Sequence, residues 1–253
     1  MSRWSLTSGW QAVLILLIVL TALGFATQQY VEVGSGEILI RFDDGHAHFV
    51  NEEEVREALM HVAEENAALA TTREVNLEML EGELMLFSFV EDAQASRDLS
   101  GNLVIDVKQD EPIARLVAPS GKGAYISREQ RLLPLSRRFT PRIIALTGAG
   151  ADSLLSETFL RSYRGQQVYK LINHINTDEF LSKQIAEVNV NRWMGITLHP
   201  QIGRQAIEFG KAKDFDKKFR KLQTFYREIV PRRGWNEYSI VKLQYDKQIV
   251  CKK

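Results

Sequence analysis

VEDAQASRDLSGNLVIDVKQDEPIARL, running from Val90 to Leu116, decides the fold. Leu99-Ser100-Gly101-Asn102 has turn chemistry, so FVEDAQASRDL and GNLVIDVKQDEPIARL read as two strands joined there. In the second strand Leu103, Ile105 and Val107 point one way while Val104, Asp106 and Lys108 point the other. Upstream, Glu37–Phe42 alternates polar and apolar residues and reads as a strand, and Asp43-Asp44-Gly45 as the turn after it. Asn51 then suits a helix N-cap, Glu54 closes a capping box, and Glu52 and Glu53 complement the helix dipole. Val55, Leu59 and Val62 give that helix one apolar stripe, and Leu77–Leu84 forms a second, shorter helix. The expected order is β-α-α-β-β.

From about Arg115 onward the pattern is richer in strands. AYISREQRLLPLS reads as a hairpin and RIIALTG as a buried strand stopped by Gly148. A helical region lies between Ser153 and Ile175, where Val168, Leu171, Ile172 and Ile175 form a stripe. AEVNVNRW, GITLHP and QAIEFG follow as strands. Asp214 is placed to cap a helix whose apolar positions are Phe215, Phe219, Leu222, Tyr226 and Ile229, with Pro231 and Gly234 ending it. EYSIVKLQYDKQIVC closes the chain as a strand, or as a hairpin folded about Asp246-Lys247. The class is α+β, with a mixed or antiparallel sheet and packed helices in the second half.

The N-terminus sets the compartment. WQAVLILLIVLTALGFA, Trp10 to Ala26, holds no charged residue, and the rest of the chain is charge-rich. Its aliphatic and aromatic side chains favour bilayer insertion by roughly 0.3–0.6 kcal/mol each. A transmembrane helix is expected over residues 11–28, after a tail over 1–10. Arg3 and the α-amino group place that tail in the cytoplasm. A signal peptide cleaved after Ala26 is the competing reading, and in both cases residues 31–253 lie across the membrane. The sole cysteine, Cys251, permits no intrachain disulfide. With 32 basic and 32 acidic residues the formal charge is zero, and no global field draws the chain to nucleic acid.

Catalytic patterns are missing from the sequence. His46 and His48 share a face if the segment is extended, but no cysteine or further histidine stands near them to complete a zinc set. Thr147–Asp152, TGAGAD, lacks the third glycine and the lysine of a phosphate loop and reads as a turn. No G-x-S-x-G or H-E-x-x-H occurs. The cationic run Lys211, Lys213, Lys217, Lys218, Arg220 and Lys221 falls mostly opposite the Phe215/Phe219/Leu222 stripe and reads as a solvated helix face. No cofactor, metal or small-molecule substrate is expected, and the chain reads as a binding protein rather than an enzyme.

The whole pattern resembles the FtsQ/DivIB family of bacterial cell-division proteins. Ala93, Arg97, Leu103, Ile105, Val107, Glu111, Pro112 and Ala114 match the end of that family's small POTRA module. The Ala124–Ser136 hairpin, the strand ending at Gly148 and YSIVKLQYDKQIV resemble its downstream strands. Departures are Asp110 ahead of Glu111, Ser100 for a turn proline, Gln130-Arg131 for an Asp/Gly turn, and Gln244 where the family carries arginine.

The resemblance implies a POTRA-like domain over 31–114 and a β domain over 115–253. It implies a single-pass inner-membrane protein of the division septum, with its bulk in the periplasm. Its partners would be other divisome components, above all FtsB/FtsL-type coiled coils captured by strand addition at the C-terminal sheet edge. Carried over, that edge is Lys242, Leu243, Gln244, Tyr245, Lys247, Ile249 and Val250, with Tyr245 as the leading anchor. Only Lys252 and Lys253 follow the closing strand that ends at Cys251, so an accessible edge is expected. The alternative is another POTRA-bearing accessory protein of envelope transport or secretion.

Overall fold

The computed structural model describes residues 37–43, 49–68, 76–246 and 248–253. The expected span over 11–28, His46, His48 and Lys247 lie outside these residues. No helix among the described residues is long and apolar enough to cross a membrane. The described chain divides into two compact units, one drawn from 37–43, 52–86 and 92–108, the other from 49–51, 87–91 and 109–253. Each holds a sheet with helices, and the class is α+β.

In the first unit, β1 (Ile38–Phe42) is followed by α1 (Glu52–Ala68), α2 (Leu77–Leu84), β2 (Val90–Arg97) and β3 (Leu103–Gln109). The strand order is β1-β3-β2, with β1 parallel to β3 from Ile38↔Leu103 to Phe42↔Val107. Parallel pairing requires a crossover, and α1 and α2 lie within it. Asn76 starts α2 by accepting the Met79 N–H at 3.2 Å. Val55, Ala58, Leu59 and Val62 of α1 and Leu80 and Leu84 of α2 are buried, as are Leu103, Ile105 and Val107 of β3. At the β2–β3 turn Gly101 takes φ +83°, and Asp98 accepts the Ser100 and Asn102 N–H groups at 2.9 and 2.8 Å. The Asn102 side-chain amide, donating to Asp98 at 2.8 Å, together with these backbone bonds holds the Asp98 carboxyl below its usual range.

Val90–Leu116 departs from the reading in one respect. The run expected as a single second strand breaks at Asp110-Glu111, and its halves join different sheets. After the break, β4 (Pro112–Val117) enters a nine-stranded sheet. Pro112 has no N–H to give a ladder, and the β4 register slips between Pro112 and Ala114. Asp110 turns inward: its N–H donates to the Phe89 carbonyl at 2.9 Å and its side chain is fully buried. Gln109 beside it accepts the Phe49 and Val50 N–H groups at 2.9 and 3.0 Å. Phe49 thereby stacks on Phe89 at 4.3 Å and meets the Phe139 edge at 5.5 Å, beside buried Tyr125.

The second unit continues with β5 (Gly123–Ser127), β6 (Leu132–Leu133), β7 (Ile144–Thr147), β8 (Ile185–Val190), β9 (Gly195–Pro200), β10 (Ala206–Lys211), β11 (Ile240–Lys242) and β12 (Val250–Lys252). The strand order is β12-β11-β10-β9-β8-β7-β4-β5-β6. The sheet is mixed: β4–β7, β7–β8 and β10–β11 run parallel and the other pairs antiparallel. Helices α3 (Ala149–Leu154), α4 (Glu157–Leu160), α5 (Tyr163–Thr177) and α6 (Glu179–Gln184) separate β7 from β8. The stripe Val168, Leu171, Ile172 and Ile175 is buried against alternate strand residues such as Leu146, Val188, Leu198, Ile207 and Phe209. Gly148 (φ +84°) and Gly150 bring α3 close to β8; a Cβ on either would lie 2.5 Å from an atom of Val190. Close packing thus accounts for the glycines of TGAGAD.

Helix α7 (Phe215–Thr224) runs through a π-turn at Phe225–Ile229 into α8 (Val230–Arg233). Two expectations change here. Asp214 sits at φ +55° and makes no side-chain cap, so it is a left-handed entry residue rather than an N-cap donor partner. Pro231 does not stop the helix; the wider π-turn just before it accommodates the missing N–H, and Gly234 at φ +93° ends the run. The basic face is also less solvated than expected. Lys218 is buried, lies 4.4 Å over the Phe209 ring and donates to the Lys211 carbonyl at 2.7 Å. Burial lowers its pKa to about 8.

Candidate partner-binding edge

The sheet ends at β12, and no strand among the described residues pairs with its outer flank. β11 lies parallel to β10 (Ala206↔Ile240, Ile207↔Val241, Glu208↔Lys242) and antiparallel to β12 (Ile240↔Lys252, Val241↔Cys251, Lys242↔Val250). The hydrogen bonds fix which groups face which way. The Ser239 carbonyl accepts from Ala206 at 2.8 Å and the Leu243 N–H donates to Glu208 at 3.0 Å, so both face β10. Alternate residues of a strand face opposite flanks, which turns Val241 to β10 and Ile240 and Lys242 to β12. Across the register, Val250 and Lys252 face back to β11, and the Cys251 N–H and C=O face the open side. The Lys252 carbonyl accepting from the Ser239 N–H at 2.8 Å agrees.

The carried-over residues fall in several environments. Lys242 belongs to β11, which is flanked on both sides; its ammonium pairs with Glu208 at 2.8 Å, and that bond raises its pKa. Leu243 is fully buried in the core. Gln244 lies over Gly210, where a Cβ would come within 3.2 Å of its Oε1. Tyr245 is 43% exposed, and its carbonyl accepts from Lys221, which also donates to the Leu243 carbonyl at 3.2 Å. Ile249 packs partly on the core, and Val250 opens β12. Of the six that are among the described residues, Val250 alone lies on the outermost strand.

Sequence reasoning missed Cys251 and Lys252 as edge residues. The hairpin alternative contained the signal, because the β-branched pair Ile249-Val250 after the Asp246-Lys247 turn suits a returning strand. Burial pushes the Cys251 thiol up, which keeps it neutral and disfavours thiolate chemistry. A Lys253–Glu237 ion pair at 2.6 Å ties down the end of the strand. A three-residue edge that ends in Lys252 and is followed by Lys253 is short and charged, which discourages indiscriminate pairing while leaving its backbone groups open.

A family model described as FtsQ/DivIB, C-terminal related, matches residues 111–252, more than half of the chain. The chain therefore belongs to the FtsQ/DivIB family, whose members are non-enzymatic bacterial division proteins, and its role is in cell division. No curated protein matches the sequence.

Proposed function

We propose that the chain is a scaffold of septum formation, joining early and late division proteins by capturing an FtsB/FtsL-type coiled-coil partner as an added strand on β12. In this reading the N-terminal helix over 11–28 holds it in the inner membrane, with the tail over 1–10 in the cytoplasm and the bulk outside it. Residues 31–114 serve as a POTRA-like module near the membrane, and the following domain carries the docking edge.

One observation carries the proposal. The outer flank of β12 has no partner strand among the described residues, and the register turns the Cys251 backbone toward it. An incoming strand would satisfy those groups, and side chains along it would supply specificity. In this reading Tyr245, half-exposed in the β11–β12 connection, adds a side-chain contact to the incoming strand. The test is co-purification of the full-length chain with candidate envelope coiled coils, paired with imaging of a tagged copy. Capture of such a partner and mid-cell labelling during septation are expected. Uniform envelope labelling with no capture would overturn the proposal.

A further inference from the structure

A cleft of about 550 Å³ opens at the ends of β4, β7 and β8 opposite the glycine-bearing turn, on a part of the second unit that β12 does not reach. Ile113, Ile144, Ile185 and Ala186 form its floor, and Arg128, Arg142 and Lys183 stand around it with one carboxylate, Glu111. Glu111 is engaged bidentately by Arg128, at 2.6 and 2.5 Å. Lys183 is held by Glu179 at 2.9 Å in an exposed pair one helical turn apart, which is worth little in water and leaves the ammonium able to turn to another carboxylate. Arg142 is exposed and has no carboxylate partner among the described residues. The chain as a whole is neutral, so this surplus of cations is local.

The backbone in the cleft is irregular too. The β4–β5 register skips Ile113, and Ala186 stands outside both the β7–β8 and the β8–β9 registers. The Ile113 carbonyl is already occupied by Asn176 at 3.0 Å. Bulges of this kind end pairing and re-aim backbone and side chains, and they concentrate beside binding sites.

We propose that this cleft is a second docking site, taking a short acidic peptide segment of a partner chain in an extended conformation. Arg142 would receive a carboxylate through its planar fork, Lys183 a second one, and the isoleucine floor the apolar residues between them. A simple inorganic anion could use the cations but not the floor. The cavity lies in the size range of small-ligand and peptide pockets. An anionic membrane is a poorer fit, because polybasic lipid-binding surfaces present clusters of roughly four to eight cations on an open face.

The probe is a fluorescein-labelled octapeptide of alternating valine and glutamate, titrated into the full-length chain in detergent and followed by anisotropy. Its matched control alternates valine and lysine. Binding of the acidic peptide alone is expected, with weakening at higher salt. R142E should weaken it roughly tenfold, S182W should do the same by filling the mouth of the cleft without altering charge, and R142K should fall between. Arg142 and Ser182 are exposed, so all three variants should keep the wild-type unfolding midpoint. All three should also keep wild-type capture of a β12 partner, which separates this site from the edge. Absence of binding, equal binding of the two peptides, indifference to R142E and S182W, or full displacement by inorganic phosphate at matched ionic strength would each overturn the proposal.

Discussion

Cys251→Pro separates the fold's own ladder from the bonds offered to a partner. The Cys251 N–H faces the open flank of β12, so its removal costs the free chain no strand hydrogen bond. Edge strands accept proline in that orientation. An incoming strand, by contrast, loses one backbone bond, roughly 0.5–1.5 kcal/mol, and meets the pyrrolidine ring where the N–H stood. Together these should cost about 1–2 kcal/mol, a fall of roughly five- to thirtyfold in affinity. Cys251→Ala controls for the thiol and should bind as wild type. Val250→Pro removes a group facing Lys242 and should instead lower the unfolding midpoint. Calorimetric titration with the captured coiled-coil partner, alongside thermal melts, reads both effects. Wild-type affinity for Cys251→Pro would refute the derived orientation or the docking edge itself. A large loss of stability in that variant would refute the orientation alone.

Three further outcomes are expected. The Arg131 guanidinium lies 3.0 Å from the fully buried Asp110 carboxylate but out of hydrogen-bond line, and burial raises the Asp110 pKa. Arg131→Met should cost about 3 kcal/mol by leaving that charge alone, and Asp110→Asn in the same background should recover much of it in denaturant melts. Because the folded-state pKa of Asp110 is raised, wild-type stability should fall as pH rises through it, and Asp110→Asn should flatten that slope. Burial, opposed by Asp214 and reinforced by Lys213 and Lys221, lowers the Lys218 pKa to about 8 against 10.5. The folded state binds fewer protons between those values, so stability should rise with pH there. Lys218→Met should remove the rise and add about 1 kcal/mol at pH 7. Gly148→Ala forces a side chain to φ +84° and places its Cβ 2.5 Å from the Val190 carbonyl oxygen, and should cost about 2–4 kcal/mol by chemical denaturation.

Local patterns were legible wherever one residue type dictated one conformation. Leu77–Leu84 forms the short helix its apolar spacing predicts, and Gly148 stops β7 because no other residue takes φ +84° cheaply. What escaped was whatever depended on contacts distant in sequence. Nothing in Asp110-Glu111 announces a change of sheet, because the break is enforced by Phe89, Gln109 and Arg131 meeting it in space. Lys218 reads as one of six cations on a helix, and only the Phe209 ring and the Lys211 carbonyl distinguish it. At the candidate edge, the residues carried over from the resemblance fall mostly on the inner side of the terminal hairpin. Lys242 and Leu243 carry the strand-like alternation, yet pairing with β10 and β12 consumes β11, and the shorter return strand holds the free border.

Amide hydrogen exchange at Cys251 tests the central claim most directly. In the free chain this N–H should exchange rapidly while Lys242 and Val241 stay protected, and on adding the coiled-coil partner it should become protected. Protection of Cys251 in the free chain, or continued rapid exchange in a saturated complex, would contradict the account.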